Sequence, residues 1–236
     1  MKTLPTATTW SGLTCFTAID AGIRSLVCLV LVLTWTSSPG AGLIARITNA
    51  SAEPVADAVV VAVPEDGTIP ESVPGRDSVD QVDRQFVPHV KAIYAGTSVF
   101  FPNKDNIRHH VYSFSRAKRF ELPLYSGVPA DPVNFDTPGV VTLGCNIHDW
   151  MIGYIYVSES PWFAVSGADG VAEITELPAG RYRLRSWHPL MESDEEKTER
   201  IVELEQTSTA EISWGLTLKP DIRPRRAPVG GIRGYR

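Results

Sequence analysis

The sequence predicts an all-β protein. Runs of β-branched and aromatic residues, such as residues 55–63, alternate with clusters of Gly, Pro, Asn and Asp that are typical of turns. Residues 181–186 alternate strictly, so that three arginines occupy one face of a predicted strand and Tyr182, Leu184 and Ser186 the other. About 195 residues follow the N-terminal leader, which is enough for one large β domain or two small ones.

Residues 1–41 are predicted to be a secretory signal peptide. Arg24 precedes the apolar residues 26–33, a run much shorter than the roughly 20 residues of a membrane-spanning helix. Small residues, Ala41 and Gly42, follow where a signal peptidase would cut. An uncleaved anchor is the alternative. We therefore expect a periplasmic or secreted protein without a stable membrane span.

Cysteine usage supports a role for one particular thiol. Cys15 and Cys28 lie in the leader, so the exported protein would keep only Cys145. A lone cysteine cannot form an internal disulfide, and an unpaired thiol in an oxidising compartment is a liability unless a metal occupies it. The alternative is a buried and inert cysteine.

The first half of the chain predicts strands in order. Residues 43–47 and 55–63 indicate a strand, a turn and a buried strand. Residues 64–80 are rich in Pro, Gly, Ser and acidic residues, which predicts a linker or exposed loop. The turn Ala95-Gly96-Thr97 separates two further β runs, which predicts a hairpin.

The segment from Cys145 to Met151 holds a thiol, the imidazole of His148 and a thioether within seven residues. Copper prefers such soft and borderline donors, and a His₂Cys set with a long axial Met marks an electron-transfer site. The second histidine is expected from His109 or His110. Strand alternation sends these neighbours to opposite faces, so only one of them can reach a metal.

Residues 99–105, followed by His109, Cys145, His148 and Met151, resemble the cupredoxin family, in particular its amicyanin- and plastocyanin-like members. The resemblance implies a Greek-key β-sandwich over residues 77–158 that binds one type 1 copper. By position, the implied copper ligands are His109, Cys145, His148 and Met151. Contacts around the metal, or an alternative ligand, are expected from His110, Asn103 and Trp150.

A second resemblance covers the last third of the chain. The turn at Asp169-Gly170 and the segment Leu177-Pro178-Ala179-Gly180 resemble the prealbumin-like sandwiches called carboxypeptidase regulatory-like domains. In that family the opening strands read like residues 44–63. The copper module is then either inserted into this sandwich or placed in series with it. Proteins with such a pairing are often labelled methylamine utilisation proteins.

These patterns predict a division of the chain into five parts. The boundaries are a signal peptide at 1–41, N-terminal strands and linker at 42–76, the copper domain at 77–158, the second sandwich at 159–218 and a disordered basic tail at 219–236.

Charge limits the partners. The net charge is −5, and removing the leader (one net positive charge) and the tail (five) leaves −11 for residues 42–218. Such an acidic body argues against nucleic acid as the main partner. The tail carries enough arginine to touch an anionic surface weakly. Arg108, Arg116, Lys118 and Arg119 form a basic patch that either steers an acidic redox partner or is a solvated loop.

The resemblance to cupredoxins implies an exported carrier of single electrons between redox partners, a dehydrogenase or cytochrome, and not an enzyme. Copper storage or delivery with the same ligands is one alternative, and a binding module with a degenerate metal site is another. A Cys-His nucleophile is disfavoured because no oxyanion-hole motif or orienting acid accompanies it. His89 is expected to be a surface or core-edge residue and His188 a structural one. Residues 192–197 are expected to form a solvated loop, with a calcium site as the alternative.

Overall fold

The computed structural model describes residues 40–67, 69, 75–129 and 131–221. The predicted signal peptide, except its last two residues, and most of the predicted basic tail lie outside these ranges. Within them, the all-β prediction is confirmed, because the regular elements are strands apart from one short 3-10 helix, Glu195–Thr198. No helix in the described ranges is long and apolar enough to cross a membrane.

The strands fall into three consecutive groups. The first two are β1 (Ala41–Asn49) and β2 (Val59–Pro64). The next ten are β3 (Arg76–Ser78), β4 (Asp80–Val82), β5 (Gln85–Val87), β6 (Val90–Tyr94), β7 (Thr97–Phe100), β8 (His109–Phe114), β9 (Arg119–Tyr125), β10 (Val133–Phe135), β11 (Gly139–Gly144) and β12 (Ile152–Ser158). The last five are β13 (Trp162–Val165), β14 (Val171–Leu177), β15 (Gly180–Trp187), β16 (Arg200–Leu204) and β17 (Thr209–Leu216).

The middle group of strands builds one sandwich. A five-stranded sheet in the order β6-β12-β11-β8-β9 packs against a three-stranded sheet in the order β10-β7-β3. Their inward residues form one hydrophobic core, in which Phe101, Phe135, Leu143 and Ile155 are fully buried. Cys145 and Met151 belong to the same core. This sandwich carries the candidate site at one end of β8, β11 and β12.

The first and last groups of strands pair with each other. β1 lies between β14 and β17, and β2 lies between β13 and β15, with β16 at the edge. The two sheets enclose a second core that includes Leu43, Ile47, Leu184 and Trp214. The strands on either side of residues 75–158 therefore form one common sandwich, here called the flanking sandwich.

The two sandwiches share β2 as a contact layer. All six residues of β2 are buried, which is why this strand reads as a continuous apolar run rather than an alternating one. Val60 and Ala62 face the core of the flanking sandwich. Val59 and Val61 pack instead with Val90, Ala92 and Tyr156 of the middle strands. β2 thus joins both sandwiches into one stack of sheets.

The predicted hairpin around Gly96 is wrong. The turn exists, and Gly96 has the positive φ of 91° that a turn glycine favours. However, β6 belongs to the five-stranded sheet and β7 to the three-stranded sheet. Ile93 and Val99 contact the same core from these two sheets. The turn therefore carries the chain across the sandwich, because both strands bury apolar faces that must oppose each other.

Two segments predicted to be loops are partly ordered. β3 pairs with β7, and Val79, which follows it, is buried, so the predicted linker ends in folded structure. Residues 68 and 70–74 of that linker lie outside the described ranges. In the predicted solvated loop 192–197, Glu195 accepts a hydrogen bond of 2.5 Å from the hydroxyl of Tyr156.

Candidate metal centre

A tight turn connects β11 to β12 and carries three of the four predicted metal ligands. Cys145 follows directly after β11, which holds the thiol at the end of a regular strand. The backbone N–H of Met151 donates to the carbonyl of His148 at 2.9 Å, and the N–H of Ile152 to the carbonyl of Trp150 at 3.1 Å. These bonds fix the turn, so its side chains point in set directions.

His109 reaches the turn from the first position of β8. Its Nδ1 lies 3.9 Å from Sγ of Cys145, and Nδ1 of His148 lies 3.8 Å from the same sulfur. The three potential ligand atoms all lie within 4.8 Å of one another. His109 is fully buried and Cys145 is nearly so. The structure thus brings together two imidazoles and one thiol that the sequence separates by up to 39 positions.

A carboxylate fixes the orientation of His109. Nε2 of His109 lies 2.6 Å from Oδ2 of Asp105. Because a carboxylate only accepts hydrogen bonds, Nε2 carries the proton and Nδ1 presents its lone pair towards Cys145. Metal-binding histidines are commonly oriented by a carboxylate in this way. Asp105 thereby selects the tautomer of His109 that can bind a metal.

Asp105 is itself held by the turn between β4 and β5. Its Oδ1 accepts the backbone N–H of Asp83 at 2.7 Å, and its Oδ2 that of Arg84 at 2.9 Å. Asp83 and Arg84 both have positive φ, 52° and 59°, as in the two-residue hairpin turns that suit twisted strands. Burial by itself raises the pKa of Asp105, but the hydrogen bonds from Arg84, His109 and Asp83 outweigh it and lower that pKa. Asp105 is therefore ionised at neutral pH.

His148 lies in surroundings that favour its neutral form. Burial lowers the pKa of His148 most, and the proximity of His109 and Arg84 lowers it further, against an opposing effect of Asp105. The ring of Trp150 lies against the imidazole, with centroids 5.2 Å apart. Only a neutral imidazole has a lone pair to offer a metal. His148 is thus ready to bind at neutral pH.

Met151 and Cys145 share their surroundings. Met151 is 1% exposed, lies in the same core cluster as Cys145 and lines the same cavity. Met151 thus offers a buried thioether, a second soft donor, in the same part of the core as the thiol. The predicted site residues on the β11–β12 turn therefore all lie at one end of the sandwich.

The other predicted site residues have different partners. His110 points away from Cys145, and its Nε2 lies 2.8 Å from Oε1 of Glu121. Asn103 donates through Nδ2 to the carbonyls of Ile107 and Tyr125 and accepts the N–H of Asp105 at Oδ1. It therefore shapes the loop that carries Asp105.

The remaining two histidines contact backbone groups outside the His-Cys-His cluster. Nδ1 of His89 lies 3.1 Å from the carbonyl of Ile152, and Nδ1 of His188 accepts the N–H of Leu190 at 3.1 Å.

Gly144 precedes the cysteine, and the structure supplies a steric reason for it. A Cβ built at Gly144 would lie 2.7 Å from Cζ of Tyr112, so the ring of Tyr112 packs directly over the backbone next to Cys145. Gly144 and Tyr112 are also register partners of β11 and β8. The sequence contained no signal for this contact, because residues 112 and 144 are brought together only by strand pairing.

The spacing of the three donors fits a first-row transition metal. Bonds of about 2.3 Å to a thiolate and about 2.0 Å to an imidazole, separated by 120°, place sulfur and nitrogen about 3.7 Å apart. The observed separations from Sγ of Cys145 are 3.9 Å to His109 and 3.8 Å to His148. A trigonal N₂S set with a soft fourth donor is the ligand combination of blue-copper sites. The two sulfur–nitrogen separations and the types of donor present therefore fit copper.

Comparison with known proteins gives structural neighbours only. No protein-family model and no curated protein sequence matches the chain. A purple cupredoxin from Nitrosopumilus maritimus matches 36% of this chain and 99% of its own length, with 22% identity and a TM-score of 0.31. A variant of amicyanin in its reduced state matches 43% of this chain and 99% of its own length, with 20% identity and a TM-score of 0.32.

A copper-containing nitrite reductase from Thermus scotoductus matches 49% of this chain and 28% of its own length, with 27% identity and a TM-score of 0.33. The structural neighbours described are thus cupredoxins and a copper enzyme, each similar to less than half of the chain. The methylamine utilisation label and the prealbumin-like assignment stay predictions. The chemistry of the site has to follow from its own residues.

Proposed function

We propose that this protein is an exported type 1 copper protein that carries single electrons between redox partners and is not itself an enzyme. The observation that carries the proposal is the cluster of His109, Cys145 and His148, in which both nitrogens lie close to the separation from sulfur expected around one metal ion. When bound, copper would supply a one-electron couple between Cu(I) and Cu(II).

Each residue of the site has a defined part in this proposal. Cys145 would give the thiolate, His109 and His148 the two imidazole nitrogens, and Met151 a weak thioether donor. Asp105 keeps Nδ1 of His109 directed at the site. Three donors sit on one hydrogen-bonded turn and the fourth on an adjacent strand. A ligand set held in this way changes little when the metal changes oxidation state, which favours fast electron transfer.

Three of the four proposed ligands are almost fully buried, and His148 is partly exposed. Cys145, Met151 and His109 are 4%, 1% and 0% exposed. A dry, apolar shell controls the redox potential of a metal site. Export follows from the predicted leader, and a bound metal would protect the single thiol of the exported chain from oxidation.

The direct test is the addition of Cu(II) to the purified protein. We expect an intense thiolate-to-copper absorption that is absent in Cys145→Ser. His109→Gln should remove or strongly shift it, whereas His110→Gln, one position along the same strand, should leave it unchanged. A colourless copper complex, or equal effects of the two histidine substitutions, would contradict the proposal.

Copper delivery with the same ligands is the second candidate. One observation favours it: a cavity of about 690 Å³ is lined by both Cys145 and Met151, which gives an incoming chelator a route to the sulfur ligands. Reversible voltammetry with slow loss of copper to a chelator supports electron transfer. Fast loss to the chelator and irreversible voltammetry support delivery.

A further inference from the structure

The sheet that carries the site opens into a groove between β8 and β11. These neighbouring strands pair only at Tyr112 and Gly144. Two residues away along β11, the N–H of Thr142 donates to the side-chain Oγ of Ser115 at 2.9 Å. The cavity of about 690 Å³ lies at this opening, and Cys145 forms part of its wall. The groove therefore leads from the protein surface to Cys145, which would be the thiolate ligand of the proposed copper site.

The outer wall of the groove carries an uncovered aromatic side chain. Phe114 is 74% exposed, the highest value among the large hydrophobic residues in the described part of the chain. Its ring contacts the ring of Tyr112, with centroids 5.1 Å apart, and Tyr112 in turn packs on Gly144. Exposed aromatic residues beside a cleft are typical of protein interfaces.

Three cations lie close to this aromatic residue in the chain, while Asp149 is among the residues that line the groove. Arg116, Lys118 and Arg119 lie on the turn and strand that follow Phe114, and Arg119 is its register partner on β9. We call these three cations the basic turn. Within the described part of the chain, none of the three forms an ion pair, whereas Lys91 and Arg185, for example, each contact a carboxylate. Their charge is available to an external partner.

The basic turn stands out because the rest of the protein is acidic. Residues 42–218 carry a net charge of −11. An acidic partner would be repelled by most of this surface and attracted at the basic turn. Fields of this kind accelerate association about 10- to 1,000-fold and orient the encounter.

We propose that the groove and the basic turn form the docking surface for an acidic redox partner protein. The partner exchanges electrons with the metal centre through Cys145, which forms part of the groove wall. This inference rests on the proposed function and deepens it by naming the chemistry of the partner. The competing surface is the β11–β12 turn, where Ile147 is 46% exposed beside His148.

The docking surface can be tested without any electron transfer. Hexacyanochromate(III) is a redox-inert paramagnetic trianion that broadens NMR signals near its binding site. In copper-free protein we expect broadening of amides at residues 114–119, and loss of this effect in Arg116→Glu/Lys118→Glu. The matched control, Lys197→Glu/Arg200→Glu on the flanking sandwich, makes the same charge change and should leave the broadening intact. Broadening centred on residues 147–150, or none that is localised, overturns the proposal.

Kinetics provide the second readout. Ferricyanide takes one electron from each reduced, copper-loaded protein molecule and becomes ferrocyanide. Attraction of ferricyanide to the basic turn makes the oxidation rate constant fall as ionic strength rises. Repulsion of ferricyanide by the negative net charge of the body, acting alone, would make the rate constant rise. We expect a fall, and about a 10-fold lower rate constant at low salt for Arg116→Glu/Lys118→Glu, with the Lys197→Glu/Arg200→Glu control unchanged.

A rate constant that rises with ionic strength and is the same in wild type and in Arg116→Glu/Lys118→Glu overturns the proposed docking surface. Failure of the proposed function is distinguishable, because a protein without the thiolate-to-copper absorption would show no such oxidation while the NMR experiment still locates the anion.

Discussion

Two adjacent histidines show how single residues acquire different environments. His109 and His110 are consecutive in β8, so their side chains point to opposite faces of the sheet. His109 faces Cys145 and is oriented by Asp105. His110 contacts Glu121 instead. Both imidazoles pair with a carboxylate, but only His109 also faces a thiol. His110 can therefore serve as the control for His109.

The Asp105–His109 contact predicts a loss of metal affinity on substitution. Asp105→Asn should lower copper affinity about 10- to 100-fold, because the amide no longer fixes the tautomer of His109. It should also lower the free energy of unfolding by about 2 kcal/mol, since two backbone N–H groups lose a charged acceptor. Competition with a copper chelator and urea unfolding measure the two effects.

Glu121→Gln is the matched control for that substitution. Its carboxylate also pairs with a histidine, but 69% of the Glu121 side chain is exposed. An exposed pair of this kind contributes less than about 1 kcal/mol. We expect unchanged copper affinity in Glu121→Gln. Equal affinity losses in the two variants would show that the Asp105 carboxylate has no particular role in orienting His109.

A buried acid between the two sandwiches predicts a pH-dependent stability. Burial raises the pKa of Glu195 above its usual 4.5, although the hydroxyl of Tyr156 and the guanidinium of Arg185 oppose the rise. Arg185 is shared with Glu159, so its charge compensates only in part. Because the folded-state pKa is raised, this contribution to stability is complete below pH 4.5 and is lost as pH rises through the folded pKa.

Glu195→Gln isolates this effect, because glutamine does not titrate. The unfolding free energy of the wild type should fall relative to that of the variant as the pH rises above 4.5. Urea unfolding of both proteins across this range measures the difference. A difference that stays constant with pH, or that grows in favour of the wild type, would contradict the raised pKa.

Local spacing predicts three of the proposed ligands, and the resemblance to cupredoxins adds His109, which lies 36 positions before Cys145. Cys145, His148 and Met151 share one segment, and alternation alone required a choice between His109 and His110. The role of Asp105 in orienting His109 is not predictable from the sequence. It depends on the turn at Asp83 and Arg84, which no local pattern connects to Asp105. Contacts between distant turns depend on tertiary packing, which a single sequence does not encode in any local signal.

At the scale of elements, strand identity was easier to predict than strand pairing. Apolar runs correctly predict β6 and β7, but the turn at Gly96 predicts a hairpin that the structure does not contain. β6 contributes Ile93 and β7 contributes Val99 to the same core, while Val90 and Ala92 of β6 pack against β2. That burial pattern is equally compatible with neighbours in one sheet and with strands facing each other across a sandwich, so only the assembled sheets decide between them.

Substitution by alanine at two glycines beside the site should lower the free energy of unfolding by unequal amounts. A Cβ at Gly153 would lie 2.7 Å from Cβ of Phe86, which is buried and fixed to its own strand. Gly153→Ala should therefore lower the unfolding free energy by about 1–3 kcal/mol. In Gly144→Ala the contact is the ring tip of Tyr112, which can swing outward. Its cost should be smaller, below about 1 kcal/mol.

The comparison is informative because both substitutions restrict the unfolded chain equally. Their difference in urea unfolding midpoint therefore reports the contact alone. If Gly144→Ala proved as costly as Gly153→Ala, the ring of Tyr112 would be as rigidly held as the core residue Phe86, and the groove wall would be stiff.

At the scale of the whole molecule, stability depends on strands that are far apart in sequence. β1 is the central strand of one sheet of the flanking sandwich, and β2 is an inner strand of the other. β2 also buries Val59 and Val61 against the middle strands. Residues 75–158 therefore interrupt the sequence of the flanking sandwich while packing against it.

This pairing predicts that residues 159–221 do not fold alone. Without β1, the strands β14 and β17 lose their shared neighbour, and without β2, β15 loses its hydrogen-bonded partner on one side. We expect a fragment of residues 159–221 to give collapsed amide dispersion in NMR and a coil-like circular dichroism spectrum.

Joining residues 40–64 to that fragment by a flexible linker should restore β structure, because it returns both missing strands and their half of the core. The restored protein would still expose Val59, Val61 and Trp187, the face that packs on the middle strands, so it should be less soluble than the full chain. A well-dispersed spectrum from residues 159–221 alone would instead mean that the flanking sandwich is complete without its first two strands, and that the two sandwiches follow each other in series.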